Sequence, residues 1–332
     1  MVIRPTGYGR NPLYNRLYRR SSTPRQWLAV AALGLALACL GACDGSTGKD
    51  SLVFVFQKQK KPQDVEAHAR RIGEILSDAL GRPVKTQVPL HYALAVQALV
   101  SNKADVAYLD SLAYLLARRD GDVELLLAEV RPDVTGLPRT DYDSIMVVRA
   151  DSPLQSFEDF VEQAPDLRFV FTSELSTSGY LMPMRRFVQE GMLEAGEDPG
   201  NHFKSADYAG GYSQALQQVV DGRGDVCAVS YYTMEGPRAD VYMKAEERSQ
   251  LRILARIPGV PTHVICIRSA LDPALKDSIR TALLDLGDSH TALLADVYGA
   301  KALTRVNEEE HLKAAVEALA AVGQSVDKFV KK

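Results

Sequence analysis

Cysteine is scarce in this chain. Four occur in 332 residues, and beyond Cys43 only Cys227 and Cys266 remain. That excludes a disulfide-stapled scaffold. Both lie in apolar runs, Val226-Cys227-Ala228-Val229 and Val264-Ile265-Cys266-Ile267, that read as buried strands, so a bridge between them is not expected. Excess charge of one sign is lacking too. A net charge of −3 gives no electrostatic case for nucleic acid, and the strongly basic stretch lies before Trp27. No apolar run spans a bilayer comfortably; Trp27–Leu40 has the length of a signal-peptide core. Signatures of catalysis are missing as well. There is no Gly-x-Ser-x-Gly elbow, no paired-histidine metal motif and no phosphate-binding Gly-Lys loop. An enzyme is therefore not expected, nor a metal or a cofactor. The six histidines are scattered; His68, His263 and His311 read as surface or satisfied residues, and His91 alone sits where a cleft is expected.

The amino-terminal segment has an order of its own. Arg4, Arg10, Arg16, Arg19, Arg20 and Arg25 precede the apolar run, which ends in Leu40-Gly41-Ala42-Cys43. Charge, apolar run, small residues and cysteine in that sequence resemble a lipobox. The rival is an ordinary secretory signal peptide with a chance cysteine; Cys39 is the weaker candidate, because Ala36 stands where a lipobox has leucine. Residues 1–42 are expected to be removed and Cys43 acylated, which would hold the protein at the periplasmic side of a membrane.

What remains is long enough for two packed lobes. Short β-rich runs alternate with amphipathic stretches: strands at 52–56, 84–88 and 104–109, helices at 62–80, 93–101 and 112–119. The alternation resumes with strands at 144–149, 168–172, 206–208, 225–230, 251–256 and 263–268 and helices at 156–163, 182–195 and 212–221. Helices at 273–286 and near 308–322 close the chain. The pattern predicts a two-lobe α/β protein, each lobe a mostly parallel sheet flanked by helices. No internal repeat stands out. In such sheets ligands sit beyond the carboxyl ends of strands, which singles out the turns after Val88, Leu109, Thr172 and Ser230.

The most informative turn is Thr172-Ser173-Glu174-Leu175-Ser176-Thr177-Ser178-Gly179-Tyr180. Three consecutive hydroxyls and a glycine between a strand and a helix can donate several hydrogen bonds to one tetrahedral anion, helped by the helix dipole. Taken alone, the run reads rather as a capped polar loop. It is not alone. Ser176-Thr177-Ser178-Gly179-Tyr180-Leu181-x-Pro183 resembles the signature loop of the periplasmic phosphonate/phosphite/phosphate-binding family of ABC transporter solute receptors. His91-Tyr92, Asp105-Val106-Ala107-Tyr108-Leu109, Asp143–Pro153, Ala209-Gly210-Gly211-Tyr212, Asp225–Val229 and Ile257–Pro261 resemble later or earlier elements of that family in the same order.

The resemblance implies a type II, hinged periplasmic-binding-protein fold. Lobe 1 would comprise 50–147 plus 257–332, and lobe 2 would comprise 148–256. Ser176, Thr177 and Ser178 would hold the oxyanion from lobe 2 and Tyr92 would touch it from lobe 1. An ABC permease would be the partner, and the receptor would be a monomer. The chain departs from the family where Asp110-Ser111 replaces a Gly-Pro-like turn, where Gly211-Tyr212 replaces a Ser-His pair, and where Ser230-Tyr231-Tyr232 stands in place of an acidic residue. Asp110, Ser111, Tyr212 and Tyr231 are therefore further candidate ligand contacts. Asp110 reads two ways, as a carboxylate toward the ligand or as a cap on the following helix. The same fold could serve a membrane kinase or chemoreceptor as a sensor, or take a sulfonate or an arsenic oxyanion.

Overall fold

Residues 51–58 and 62–323 are described by a computed structural model. The leader and Cys43 lie outside the described residues, as do the removal and acylation expected of them. In chain order the first half contains β1 (Leu52–Phe56), α1 (Pro62–Leu80), β2 (Val84–Gln87), α2 (Tyr92–Val100), β3 (Val106–Leu109), α3 (Ser111–Asp120), β4 (Val123–Pro132) and β5 (Pro138–Arg139). The middle contains β6 (Asp141–Arg149), α4 (Phe157–Gln163), β7 (Arg168–Phe171), α5 (Met182–Gln189), β8 (Ser205–Tyr208), α6 (Tyr212–Val220), β9 (Val226–Ser230), α7 (Ala245–Arg248) and β10 (Leu251–Pro261). The chain closes with β11 (Val264–Arg268), α8 (Pro273–Ser289), α9 (Thr291–Tyr298), β12 (Ala302–Thr304) and α10 (Glu308–Ala321).

The strands form two sheets, ordered β12-β4-β11-β3-β1-β2 and β10-β6-β9-β7-β8, with β5 paired to β4. The central strands β3 and β9 are buried along their whole length, as apolar runs covered on both faces must be. The two-lobe α/β expectation holds. Each sheet is mixed rather than mostly parallel: β1 pairs in parallel with β2 and β3, and β7 with β8 and β9, whereas β11, β4, β6 and β10 join antiparallel. The sheets also divide the chain differently from the expected boundaries. Residues 141–147 and 257–261 belong to β6 and β10 of the second sheet, because those two strands pair with each other over almost their full length. The chain thus crosses between sheets at Thr140 and again at Thr262-His263. The closing helix α10 packs on β10 and α5 of the second sheet as well as on α3.

Three strands are absent from the sequence reading: the short β5 and β12, and the long β4. Val123–Pro132 carries Glu124, Glu129 and Arg131 among apolar residues, which obscures its periodicity. It is nevertheless a ten-residue strand of the first sheet, completed by β11 on one side and β12 on the other.

The structure also uncovers a repeat that the residues barely show. Tyr92 opens α2 and Tyr212 opens α6; Asp105 precedes β3 and Asp225 precedes β9; both pairs stand 120 residues apart. Asp105 accepts the Val53 N–H at 2.9 Å and pairs with Arg268. Asp225 accepts the Arg168 N–H at 2.8 Å and pairs with the Arg168 side chain. Each aspartate therefore fixes the start of its sheet's central parallel pair with a buried or half-buried ion pair. The helix ends match as well. Lys103 and Ala104 N–H groups both donate to the Ala98 carbonyl, and Arg223 and Gly224 N–H groups both donate to the Gln218 carbonyl. The residue before each pair is left-handed, Asn102 at φ 58° and Gly222 at φ 68°.

Candidate ligand site between the sheets

Strand β7 delivers the hydroxyl loop. Thr172, just beyond the strand, donates its Oγ1–H to the Ala228 carbonyl at 2.9 Å, which fixes the loop's start against β9. Ser176 then caps a π-helical turn over Thr177–Leu181, accepting the Gly179 N–H at 3.0 Å on its Oγ. The Leu181 N–H reaches back to the Ser176 carbonyl at 3.0 Å, a wide turn that opens the following helix α5. Gly179 is required by space: a Cβ there would stand 2.3 Å from Thr172 Cβ and Oγ1. The glycine of the motif is thus explained by the close crossing of loop and strand end.

Ser176, Thr177 and Ser178 are all fully buried, and each hydroxyl has a different task. Ser178 Oγ lies 2.8 Å from Tyr212 Oη and 2.8 Å from Ser230 Oγ. The Ser178 carbonyl accepts the Ser144 hydroxyl at 2.6 Å. Thr177 faces the other sheet. Its Oγ1 accepts the Leu112 N–H at 2.8 Å, and its own N–H donates to Asp110 Oδ2 at 3.2 Å. Two helix starts, one from each sheet, are therefore plugged by each other's side chains.

Asp110 caps α3 and also touches the hydroxyl loop. Its Oδ1 accepts the Ala113 N–H at 2.9 Å and caps α3, while Oδ2 takes the Thr177 N–H. Its own N–H donates to Gln57 Oε1 at 3.3 Å. Burial raises the carboxyl above its ordinary range, and the nearby His263 ring together with the donated hydrogen bonds acts the other way.

The remaining candidates separate. Tyr212 joins the loop through Ser178; burial and the charge of Asp110 hold its phenol un-ionised. Ser111 is buried but donates to the Pro261 and Thr262 carbonyls at 3.2 Å each, which ties α3 to the sheet crossing rather than to the loop. Tyr231 turns its hydroxyl to the Pro132 carbonyl at the end of β4, and burial pushes that hydroxyl up to about 12. Tyr92 is buried at the first position of α2, beyond the carboxyl end of β2. His91, beside it, is exposed.

The histidine next to the site is instead His263, at the second sheet crossing and 1% exposed. Its Nδ1 lies 3.0 Å from Glu129 Oε1, and its ring stacks on Tyr142 of the second sheet at 6.2 Å between centroids. Glu129 also accepts from the Arg131 guanidinium and from the Tyr108 hydroxyl. Burial alone would raise the Glu129 carboxyl, but Arg131 and His263 outweigh it and bring it down to about 2. Arg131 in turn lies over the Tyr232 ring at 3.7 Å. This buried ionic cluster was passed over in the sequence. Its signal was present: Glu129 and Arg131 stand two apart on one strand, hence on one face, in an otherwise apolar run.

With this geometry in view, comparison with known proteins is decisive. The family described as the ABC transporter, phosphonate, periplasmic substrate-binding protein matches residues 54–311. The chain belongs to that family. It is a substrate-binding protein of the ABC transporter type and not an enzyme. A phosphate-import protein of Mycolicibacterium smegmatis is 23% identical over 265 residues, covering 76% of this chain and 80% of the relative. The fold is that of the binding-protein component of an ABC phosphonate transporter from Pseudomonas aeruginosa, with a TM-score of 0.72 at 22% identity over 82% of this chain and 86% of that one. A Prochlorococcus marinus binding protein in complex with methylphosphonate matches with a TM-score of 0.70 at 20% identity, over 83% of this chain and 99% of that one. Among the described residues no helix is long and apolar enough to cross a membrane.

Proposed function

We propose that this family member captures a phosphonate or a related phosphorus oxyanion outside the cytoplasmic membrane and delivers it to an ABC permease, held at the membrane surface by acyl chains on Cys43. The observation that carries the reading is the buried hydroxyl loop Ser176–Ser178 at the meeting of the two sheets, with Thr177 facing the start of α3. Hydroxyls and helix-start N–H groups recognise oxyanions without a metal. No bond is made or broken. One sheet's half offers the loop, the other closes on the ligand, and closure is stabilised only by contacts that the ligand makes with both.

Thr177 is the residue on which the reading rests. Thr177→Ala removes a charge-assisted donor and is expected to weaken binding roughly ten- to a hundredfold, at about 1.5–3 kcal/mol for such a bond. Isothermal titration of the purified protein with methylphosphonate, 2-aminoethylphosphonate, phosphite and phosphate measures it. Sulfate, taurine and arsenite complete the panel. Tight binding of a phosphorus anion, weakened in a Thr177→Ala variant that still folds, is the expected result. A folded protein silent toward every phosphorus anion overturns the reading.

A further inference from the structure

The two central parallel strands, β1 and β7, end at the meeting of the sheets and carry different groups there. Val53 and Arg168 hold corresponding places, since each donates its N–H to the aspartate that precedes the adjacent strand. Five residues on from each stand Lys58, beyond the end of β1, and Ser173, in the turn beyond β7 that becomes the hydroxyl loop. Strand ends of this kind are where parallel sheets hold ligands. Two contacts set Lys58 against the loop's half. Its neighbour Gln57 accepts the Asp110 N–H at 3.3 Å, and Asp110 takes the Thr177 N–H. Lys58 Nζ itself stands 3.8 Å from the place a Cβ on Gly210 would occupy, and the Gly210 N–H donates to the Thr172 carbonyl at 2.7 Å. The lysine thus reaches from the first sheet to the turn that joins β8 to α6 in the second.

Its ammonium has no counter-charge. Lys58 is half-buried, and among the described residues it makes no ion pair or hydrogen bond through Nζ. Burial pulls its pKa below the ordinary lysine value. Largely buried cations elsewhere in the fold face a carboxylate: Arg131 faces Glu129, Arg268 faces Asp105 and Lys276 faces Glu124. A cation drawn partly out of water without a partner costs free energy, and an anion placed beside it recovers that cost. The hydroxyl loop has the complementary lack, because Ser176, Thr177 and Ser178 supply donors but no charge.

We infer that Lys58 is a ligand contact of this receptor: it meets from the first half the oxyanion that the hydroxyl loop holds from the second, and it directs the site to phosphorus oxyanions that carry no amino group. The inference rests on the receptor reading above and extends it to a residue outside the loop. An ammonium offers three donors and no acceptor, which suits phosphonate oxygens and repels a second ammonium such as that of 2-aminoethylphosphonate. The neighbouring groups do not offset that repulsion. Ser230, Tyr231 and Tyr232 beyond β9 are hydroxyls and phenols, and both carboxyl oxygens of Asp110 are engaged by backbone N–H groups.

The test is titration calorimetry of the wild type, Lys58→Gln and Lys58→Arg with phosphite, methylphosphonate and 2-aminoethylphosphonate. Lys58→Gln is expected to lose roughly ten- to a hundredfold in affinity for phosphite and methylphosphonate, and less than about threefold for 2-aminoethylphosphonate. Lys58→Arg keeps the charge and is expected to bind the first two anions more tightly than Lys58→Gln does. A second measurement needs no variant: reductive methylation of the wild-type protein, read by mass spectrometry. Saturating methylphosphonate is expected to slow labelling of Lys58 and to leave the exposed Lys85 unchanged. Unchanged affinity of Lys58→Gln for phosphite and methylphosphonate, or an equal loss for all three anions, overturns the inference while leaving the receptor reading intact. Labelling of Lys58 that bound methylphosphonate does not slow overturns it as well. Silence of the wild type and both variants toward all three anions overturns the receptor reading itself and the inference with it.

Discussion

The two halves of this molecule repeat one backbone plan and fill it with different chemistry. Parallel strands β2-β1-β3 in one sheet correspond to β8-β7-β9 in the other, and in each an aspartate anchors the start of the central pair. At the carboxyl ends the correspondence of shape continues while the side chains part. The first half places buried ionisable side chains there, namely Asp110, Glu129, Arg131 and His263. The second places hydroxyls and phenols, namely Ser176, Thr177, Ser178, Tyr212 and Ser230. A cleft between two such faces is asymmetric by construction. The charged face is held rigid by its own ion pairs, and the hydroxyl face can rotate its O–H groups to suit a ligand.

If that asymmetry is energetic, disrupting the charged face should cost far more than disrupting the other. Glu129→Gln leaves the Arg131 guanidinium without its buried counter-charge and is expected to destabilise by about 3–5 kcal/mol. Ser230→Ala removes one neutral hydrogen bond and is expected to cost about 1 kcal/mol. Urea unfolding of the two variants measures the difference, and similar losses would break the comparison. The pH dependence carries the same information. The Glu129 carboxyl is depressed in the folded state, to about 2, so its contribution is present at neutral pH and is lost as pH falls from the ordinary carboxylate range toward that value. The gap between wild type and Glu129→Gln should therefore narrow on acidification.

A smaller effect is expected in the hydroxyl face, where it is space rather than charge that is tightly specified. Gly179→Ala forces a Cβ to within 2.3 Å of Thr172 and should cost about 1–3 kcal/mol through displacement of the loop. Ligand affinity should drop more than stability does, because Thr177 and Ser178 immediately precede the substituted residue. Thermal unfolding and titration on the same sample separate the two, and a variant with wild-type affinity would show that the loop's path does not set its donors.

Local chemistry was legible in the sequence and long-range pairing was not. The hydroxyl loop was found because Ser176, Thr177, Ser178 and Gly179 are adjacent and lie between a readable strand and helix. The bond between Asp110 and Thr177 joins residues 67 positions apart, and only the meeting of the two sheets creates it. Asp110 could be named as a candidate, but its choice between cap and contact depends on a neighbour that spacing does not reveal. His263 read as a surface or satisfied residue and is a satisfied one, but that the sheet crossing buries it against Glu129 and Tyr142 was not legible. Strand β4 was lost because its charged residues interrupt the apolar run, and only the fold shows that Glu129 is buried against Arg131, His263 and Tyr108. The repeat escaped notice because its shared parts are scattered: single tyrosines and aspartates 120 residues apart, and backbone hydrogen bonds that many side chains permit.

Asn102 tests that last point at the smallest scale. It occupies the left-handed position that glycine occupies at Gly222, with φ of 58° against 68°, and both follow the last turn of the corresponding helix. Asparagine tolerates this conformation better than other side-chain-bearing residues because its short amide can hydrogen-bond locally. Here the Asn102 amide oxygen also stands 3.5 Å from the Arg268 guanidinium that pairs with Asp105. Asn102→Gly should therefore be nearly neutral, within about 0.5 kcal/mol, since relief of the left-handed strain offsets the lost amide. Asn102→Ala keeps the strain and loses the amide, and is expected to cost about 1 kcal/mol or slightly more. Denaturation of the pair decides whether the two halves share only a shape or also the constraint that produces it: an alanine variant as stable as the glycine one would mean that Asn102 and Gly222 coincide in angle without a common energetic requirement.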